Sequence, residues 1–311
     1  MFNAERRAKN ETLAEFIKKS ACVLKSKYEF GQETAVFEVE LLLEWFLKLD
    51  INQIRIRAIT GEFVTDLFSA DALTNFCRIM ERRLDGEPLQ YITQTAHFYG
   101  LALFVGPGVF IPRPETEKLV SLALDFITTS KNTTSGEIVL ADLCAGSGAI
   151  GLALAQNLKS KVALKILAVE KSADAFKYLK KNCARYSYEH SSSVVIPVLA
   201  DAGEVELPPC DAVVLNPPYI PPEVELLPLS VRAEPTTALY GLGDDGFEIP
   251  HAVVKNAAQS LKPGGCVFLE HFETQSETAA KALPKNGLTN IKHILDLNQR
   301  PRFTTGMKPS S

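Results

Sequence analysis

Residues 211–222 (DAVVLNPPYIPP) join an apolar run to groups that can bind an amine or an amide. The β-branched start predicts a buried strand, and Pro217 and Pro218 prevent both a helix and a continued ladder. Because neither proline has an N–H, carbonyl groups here can face a ligand, and the Asn216 side chain adds another acceptor. Two adjacent acceptors can hold an NH2 group and aim its lone pair at an electrophile. The other interpretation is an ordinary turn, since Asn-Pro is common where loops begin.

A second segment with chemical potential is GSGAIG, residues 146–151, which matches GxGxxG after a predicted strand. Glu170 lies about where a ribose-binding acid is expected, so the pattern alone indicates a dinucleotide. The carboxylate of Asp142, however, would face the pyrophosphate at the helix N-terminus. S-adenosylmethionine carries an ammonium and a sulfonium but no phosphate, and it suits these acids better. The alternative for Asp142 is a loop or capping carboxylate.

Composition limits the function classes. At 311 residues with 46% hydrophobic and 23% charged residues, the chain is expected to be a soluble two-domain protein with no membrane partner. The net charge of −4 provides no general footprint for nucleic acid, so no direct nucleic-acid partner is expected. The six cysteines show no CxxC pair, which predicts reduced thiols, no metal site and a cytoplasmic location. They are Cys22, Cys77, Cys144, Cys183, Cys210 and Cys266.

The elements that must position these residues fall into two parts. Helical periodicity over residues 10–86, with Ser69 as an N-cap, predicts a small helical bundle. After a linker at 128–136, alternating strands and helices predict a parallel sheet. The predicted strands are 138–143, 166–169, 194–199, 212–215, 267–269, 291–295 and 303–305. Residues 262–265 are predicted to form a turn, and residues 308–311 a disordered tail.

Polar residues follow most of these strands. In an open α/β sheet, ligands bind outside the carboxyl ends of the strands. Asp142, Glu170, Asp201 and Asn216 are therefore expected to converge at one edge, and Glu270 also ends a strand.

Residues 90–118 predict a short hairpin followed by a loop. Arg113 lies between two prolines, and Glu115 and Glu117 open a helix, as the helix dipole favours. The guanidinium is a candidate clamp for a carboxylate or a carbonyl, and the alternative is a plain helix start.

The glycine loop, Glu170 and the NPPY elbow together resemble the class I S-adenosylmethionine-dependent methyltransferases that act on nitrogen. More specifically, the chain resembles the HemK/PrmC family of release factor glutamine N5-methyltransferases over about residues 86–306, and more loosely over the helical N-terminus. The matching segments are Tyr91, FYG (98–100), IPRPETE (111–117), AGSGAIGLALA, NPPYI, RAEP (232–235) through 238–239, and RPRFTTG (300–306). IPRPETE is the most specific of them, because NPPY also occurs in DNA adenine methyltransferases.

The resemblance implies an α/β, Rossmann-like fold with a mostly parallel seven-stranded sheet and an N-terminal helical bundle. The expected domains are a helical substrate-recognition domain (1–86), a hairpin and linker (87–118) and a methyltransferase domain (119–311). The resemblance implies that the protein modifies factors of translation termination. It would transfer a methyl group from S-adenosylmethionine to the side-chain amide of the glutamine in the GGQ motif of class 1 peptide chain release factors.

Family roles carry over to matching positions. Glu170 would hold the cofactor ribose, and Asp201 would reach the adenine. The implied cofactor-binding residues are Asp142, Cys144, Ala145, Gly146, Ser147, Gly148, Glu170, Asp201, Ala202 and Asn216. The implied substrate-binding residues are Asn216, Pro217, Pro218, Tyr219, Phe98 and Arg113. Asn216, Pro217 and Tyr219 form the catalytic set, in which Asn216 and the Pro217 carbonyl take the two amide hydrogens.

Three positions depart from the family pattern. Ala202 stands where an aromatic residue is frequent, and Leu242 where a second glycine is usual. Cys144 replaces a common glycine, which is free of strain only if its φ is negative.

Three other functions remain open on these residues. An exocyclic-amine (N6-adenine type) methyltransferase of nucleic acid shares the NPPY logic. A non-catalytic cofactor-binding scaffold and a dinucleotide oxidoreductase are the others. His97 and His271 are interpreted as ordinary polar residues, because methyl transfer to an aligned nitrogen requires no strong base.

Overall fold

The computed structural model describes residues 11–28, 31–129, 136–158, 163–187, 193–224, 229 and 231–310. The chain divides into two compact units, Met1–Gln94 with Pro228–Ala233 and Thr95–Leu227 with Glu234–Ser311. Compactness alone does not show which segments fold independently, so the domain boundaries after residues 86 and 118 stay predictions.

The first unit is helical, as the spacing of its apolar residues predicts. Its described α-helices are α1 (Leu13–Lys27), α2 (Gln32–Leu47), α3 (Ile51–Ile59), α4 (Val64–Leu67), α5 (Ala70–Leu84) and α6 (Leu89–Thr93). The Ser69 side chain accepts a hydrogen bond from the Ala72 N–H, which confirms the predicted N-cap. Thr12 and Asp50 begin α1 and α3 within capping boxes. Phe76 is fully buried in the core that these helices share.

The second unit contains a hairpin and a seven-stranded sheet. The hairpin pairs β1 (Thr95–Phe98) with β2 (Leu101–Phe104). The sheet strands are β3 (Ile138–Leu143), β4 (Leu164–Glu170), β5 (Ser193–Leu199), β6 (Cys210–Leu215), β7 (Leu261–Glu270), β8 (Thr289–Leu295) and β9 (Pro301–Met307). The helices are α7 (Glu117–Thr129), α8 (Ala149–Leu158), α9 (Ala173–Arg185), α10 (Glu248–Ser260) and α11 (Ser276–Lys285).

The strand order β5-β4-β3-β6-β7-β9-β8 positions the site. The first five strands in this order are parallel, and β9 runs antiparallel to both of its neighbours. The predicted mostly parallel sheet of a class I methyltransferase is confirmed. Because the order reverses direction between β3 and β6, a ligand crevice is expected beyond their carboxyl ends. Both strands are almost entirely buried, which explains why their sequences are apolar except for Asp142 and Asp211.

Two local predictions are wrong. Residues 262–265 lie within β7, where the register against β6 shifts between Cys210 and Ala212 and a bulge absorbs them. Lys308 is anchored: its N–H donates to the Gly265 carbonyl at 2.9 Å, and its Nζ donates to the Leu261 carbonyl at 2.6 Å. Of the predicted linker, residues 130–135 lie outside the described ranges, as does residue 311 of the tail. None of the described helices is long and apolar enough to cross a membrane.

Candidate active site

Hydrogen bonds fix the elbow that follows β6. The N–H groups of Tyr219 and Ile220 both donate to the Leu239 carbonyl, at 3.1 and 2.8 Å. Gln275 Nε2 donates to the Tyr219 carbonyl at 2.8 Å. Gly246 approaches so closely that a Cβ there would lie 2.7 Å from the same carbonyl oxygen, at a φ of 70°. This contact requires glycine, and the elbow is held from two sides.

Asn216 presents a side-chain acceptor at this elbow. Its Nδ2 donates to Thr116 Oγ1 at 3.4 Å, which orients the amide and leaves Oδ1 directed elsewhere. Among the described residues, none donates a hydrogen bond to Asn216 Oδ1 or to the carbonyl of Pro217. Both oxygens are therefore free to accept, and their role as a pair that binds an amide stays a prediction.

The Tyr219 hydroxyl belongs to a buried polar network. It donates to Glu270 Oε1 at 3.0 Å, and Glu270 is only 2% exposed. Burial raises the pKa of Glu270 to about 7, opposed by the hydroxyls of Thr116 and Tyr219 and by the Arg302 guanidinium. Burial also raises the pKa of Tyr219 far above its ordinary value, so the phenol stays a donor.

Backbone hydrogen bonds hold the loop between β3 and α8. The Ala145 N–H donates to the Val169 carbonyl at 2.9 Å, and the Gly148 N–H donates to the Ala145 carbonyl at 2.7 Å. A Cβ built on Gly146 would meet no atom within 4 Å, so open space borders the loop there. An unstrained Cys144 would require a negative φ, but its φ is 64°. Cys144 carries backbone strain that glycine would lack.

Asp142 lies under this loop rather than beside it. The side chain is fully buried, and Oδ2 accepts the Gly151 N–H at 2.8 Å in the first turn of α8. A Cβ on Gly151 would lie 3.0 Å from the same oxygen, which explains the glycine. Oδ1 has no hydrogen-bond partner in the described part of the chain. Burial raises the pKa of Asp142 to about 7. The capping interpretation is thus realised by one oxygen, and a cofactor contact by the other stays a prediction.

Glu170 and Asp201 lie at the same edge of the sheet. Glu170 accepts the Gly146 N–H at 2.8 Å and the Ser172 N–H at 2.7 Å, so it contacts the loop directly. Burial raises its pKa, and these N–H groups oppose the shift. Asp201 pairs with Lys171 at 2.7 Å, and this hydrogen bond lowers the pKa of Asp201.

The register places the four strand ends together as expected. Leu143 pairs with Val169 on one side and with Leu215 on the other, so Cys144 and Asn216 follow neighbouring strands. Ala202 is buried and offers no aromatic surface. Leu242 has a φ of 59° and is 56% exposed, in a left-handed conformation that glycine would adopt without strain.

Arg113 is paired within the protein. Its guanidinium forms an ion pair with Glu234, which is 4% exposed, and lies 4.9 Å from the centre of the Phe110 ring. The second oxygen of Glu234 accepts the Ile111 N–H at 3.0 Å. Arg113 therefore does clamp a carboxylate, but one from the chain itself, and a substrate contact is not supported by this pairing.

Phe98, which was expected to bind the substrate, is buried in the core. Its side chain is 1% exposed and packs in the hydrophobic core with Leu101, Leu103 and Leu119. A ring buried in this way stabilises the hairpin and does not offer a surface to a substrate.

Several polar residues of the site were not in the predicted set: Thr116, Asn182, Glu234, Glu270, Gln275 and Arg302. Asn182 is fully buried on α9, and its Nδ2 donates to the carbonyls of Ser147 and Phe104 at 2.9 and 3.0 Å. It fastens the glycine loop from below. The sequence could have indicated Glu270, because it is a polar residue at the end of a predicted strand, like Asn216. Nothing in the sequence indicated Asn182, since it lies within an amphipathic helix.

Comparison with known proteins gives two family models. The PrmC N-terminal domain matches residues 17–93, and the model described as conserved hypothetical protein 95 matches residues 102–230. Curated relatives span most of the chain. A release factor glutamine methyltransferase of Mycolicibacterium smegmatis is 36% identical over 89% of this chain and 92% of the relative. The release factor glutamine methyltransferase of Bifidobacterium longum is 36% identical over 88% of this chain and 93% of the relative. That of Streptomyces coelicolor is 38% identical over 77% of this chain and 82% of the relative.

Among solved structures, the hMettl16 catalytic domain in complex with a 3′UTR hairpin matches with a TM-score of 0.51. The identity is 15%, and the match covers 77% of this chain and 82% of that one. A likeness at this level concerns the fold alone.

Proposed function

Because this chain belongs to the release factor glutamine methyltransferase family, we propose that it methylates the side-chain amide nitrogen (N5) of the glutamine in the GGQ motif of class 1 peptide chain release factors. The methyl donor is S-adenosylmethionine. The release factor is the partner, and neither nucleic acid nor a membrane takes part directly. The reaction takes place in the cytoplasm, since all six cysteines are free thiols, as is usual in reducing compartments.

The observation that carries this proposal is the pair of acceptors at Asn216 and Pro217. A glutamine amide has two N–H donors on one nitrogen. The Asn216 side-chain oxygen and the Pro217 carbonyl accept no hydrogen bond from described residues, so both can take an amide hydrogen. Holding both hydrogens aims the nitrogen and supplies the orientation that a weak nucleophile needs.

The strand ends suit the hydrogen-bond donors of S-adenosylmethionine. The cofactor has no phosphate for a carboxylate to repel, and its ribose hydroxyls and adenine amine can donate to the Glu170 and Asp201 carboxylates at the edge of the sheet. Open space beside Gly146 gives the loop room for a ligand. In this assignment residues 144–148 pass around the methionine half, Glu170 holds the ribose and Asp201 reaches the adenine. Ala202 adds no stacking surface, so the adenine is held mainly by polar contacts.

Alignment and exclusion of water account for the chemistry of the site. When bound, S-adenosylmethionine would supply the methyl group of its sulfonium, and the sulfur would be left as a neutral thioether once the S–CH3 bond breaks. Asn216 and Pro217 orient the acceptor nitrogen, and the surplus proton leaves to solvent once the nitrogen is methylated, so no strong base is needed. His271 is no candidate base: its two ring nitrogens contact the Phe272 carbonyl and the Thr304 hydroxyl, and burial lowers its pKa to about 4.

Mass spectrometry of a release factor incubated with the protein and S-adenosylmethionine tests the proposal. We expect one added methyl group on the glutamine of the GGQ motif, and none on a release factor in which that glutamine is replaced by alanine. A DNA duplex and a single-stranded DNA serve as competing substrates. Methylation of an adenine amine with no change in the release factor would overturn the proposal in favour of the nucleic-acid alternative.

A further inference from the structure

The proposed function leaves one buried carboxylate of the site without a role. Glu270 ends β7 and is 2% exposed. Leu215, the last residue of β6, pairs with Leu269 of β7, so Asn216 and Glu270 are the residues that follow this pair at the ends of two adjacent parallel strands. A carboxylate is costly to bury, and burial here raises the pKa of Glu270 to about 7. Apolar side chains fill β7 just before it, and an apolar residue would stabilise the fold better at this position.

Glu270 contacts the Tyr219 side chain of the elbow directly and is linked to the Asn216 side chain through Thr116. On one side, the Tyr219 hydroxyl donates to Oε1 at 3.0 Å. On the other, the Thr116 hydroxyl lies near enough to the carboxylate to lower its pKa. The same hydroxyl accepts the Asn216 Nδ2–H at 3.4 Å, so its own hydrogen is free to face Glu270. Asn216, Thr116, Glu270 and Tyr219 are therefore successive members of one polar chain.

The network is closed behind by a second charged pair. Arg302 interacts with both Glu270 and Tyr219, and its Nε lies 3.7 Å from Asp296 Oδ2. Glu115 is the other charged group that acts on Glu270, and it raises the pKa of that carboxyl. Glu270 Oε2 has no hydrogen-bond partner among described residues and is closed off from solvent, so the carboxylate is not placed to exchange protons with a substrate. It acts through other side chains.

We propose that Glu270 is a positioning residue of the methyl-acceptor site: its carboxylate orders the hydroxyls of Tyr219 and Thr116, and through Thr116 it sets the orientation of the Asn216 amide. This inference rests on the proposed function and deepens it. Only with Thr116 as an acceptor does Asn216 direct its NH2 inward and its oxygen toward an incoming glutamine. The ionised carboxylate holds these hydroxyls more strongly than the neutral acid, because hydrogen bonds to a charged acceptor are the stronger ones.

The test uses the full-length protein and four variants: Glu270→Gln, Tyr219→Phe, the corresponding double variant and Asp211→Asn. The last is the matched control, because Asp211 is on the same strand as the elbow but at the opposite end, where it accepts the Val139 N–H. Methylation of the intact release factor gives kcat and KM, calorimetry gives the Kd of S-adenosylmethionine, and thermal melting reports folding.

We expect Glu270→Gln to lower kcat by about tenfold to a hundredfold, the scale on which misplaced reacting groups slow catalysis. The Kd of the cofactor should stay within about twofold of the wild-type value, and the control should keep wild-type kcat. The kcat of the double variant should be no lower than that of the slower single variant, since both substitutions remove the same contact. The wild-type kcat should also rise with pH through about 7, and Glu270→Gln should abolish that rise.

A Glu270→Gln kcat within twofold of wild type, losses that multiply in the double variant, or an unchanged pH profile would each overturn the inference. If Glu270→Gln does not fold, Thr116→Val decides, because it leaves the carboxylate in place: a wild-type kcat in that variant overturns the inference. Failure of the wild-type protein to methylate the release factor at all would instead overturn the proposed function.

Discussion

Glu234, whose carboxylate is buried, forms an ion pair with the half-buried Arg113 guanidinium across 121 residues of sequence. The second oxygen of Glu234 binds the Ile111 N–H, so both oxygens fasten the IPRPETE segment. Thr116, which contacts Asn216, lies in that segment. The IPRPETE and RAEP motifs, which are far apart in the sequence, are thus held together by these contacts next to Asn216.

Removing either charge of this pair should destabilise the protein. We expect Glu234→Gln to lower the free energy of unfolding by about 2 kcal/mol, because the half-buried guanidinium loses a charged partner. Urea denaturation measures the effect. The exposed pair of Lys177 and Asp174 is the control, and Asp174→Asn should have no measurable effect. Equal stabilities for the Glu234 and Asp174 variants would show that the buried pair does not stabilise the fold.

Asn216→Ala tests the acceptor directly. Loss of one oriented group in a reacting site costs ~3 to 4 kcal/mol of transition-state stabilisation, so turnover should fall by about two to three orders of magnitude. The Kd of S-adenosylmethionine should stay within about tenfold, since the glycine loop is untouched. Single-turnover methylation at saturating cofactor measures the rate. Turnover near the wild-type level would remove Asn216 from the role of amide holder.

Sequence patterns predicted the strands of the sheet and the edge at which the site lies, because both follow from periodicity and from the rule for parallel sheets. Pairings across long sequence separations were not predictable, since neither Arg113 nor Glu234 carries a signal for its partner. Backbone conformation was equally hidden: Cys144 and Leu242 adopt positive φ angles that side-chain type disfavours. Burial reversed the role expected for Phe98, because an aromatic residue before a turn can face either way.

Cys144→Gly should stabilise the protein. A left-handed conformation costs a non-glycine residue about 1–2 kcal/mol, and glycine gives back roughly half of this through its greater freedom in the unfolded chain. We therefore expect an increase of about 0.5–1 kcal/mol in the free energy of unfolding, measured by chemical denaturation. Cys144→Ala keeps the Cβ and should show no such gain. A gain of the same size in both variants would attribute the effect to loss of the thiol.

Asp142 should make stability depend on pH. The pKa of its carboxyl is raised from 3.8 to about 7 in the folded protein, so folding takes up a proton between these values. The contribution of Asp142 is most favourable below pH ~4 and is lost as pH rises through about 7. Asp142→Asn should flatten this part of the unfolding free energy curve and raise stability at pH 8. A variant with an unchanged curve would show that folding does not raise the pKa of Asp142. Weaker cofactor binding by the same variant would support contact between Oδ1 and the cofactor ammonium.

The helical unit should recognise the protein substrate, because none of the candidate site residues lies in Met1–Gln94. A shortened protein that begins near residue 86 should still bind S-adenosylmethionine but should methylate an intact release factor far more slowly, through loss of remote binding energy. A short GGQ peptide cannot reach the helical unit, so it should be an equally poor substrate for both proteins. The measured quantity is kcat/KM of each protein on each substrate. An equal loss on factor and peptide would mean that the helices only stabilise the catalytic unit.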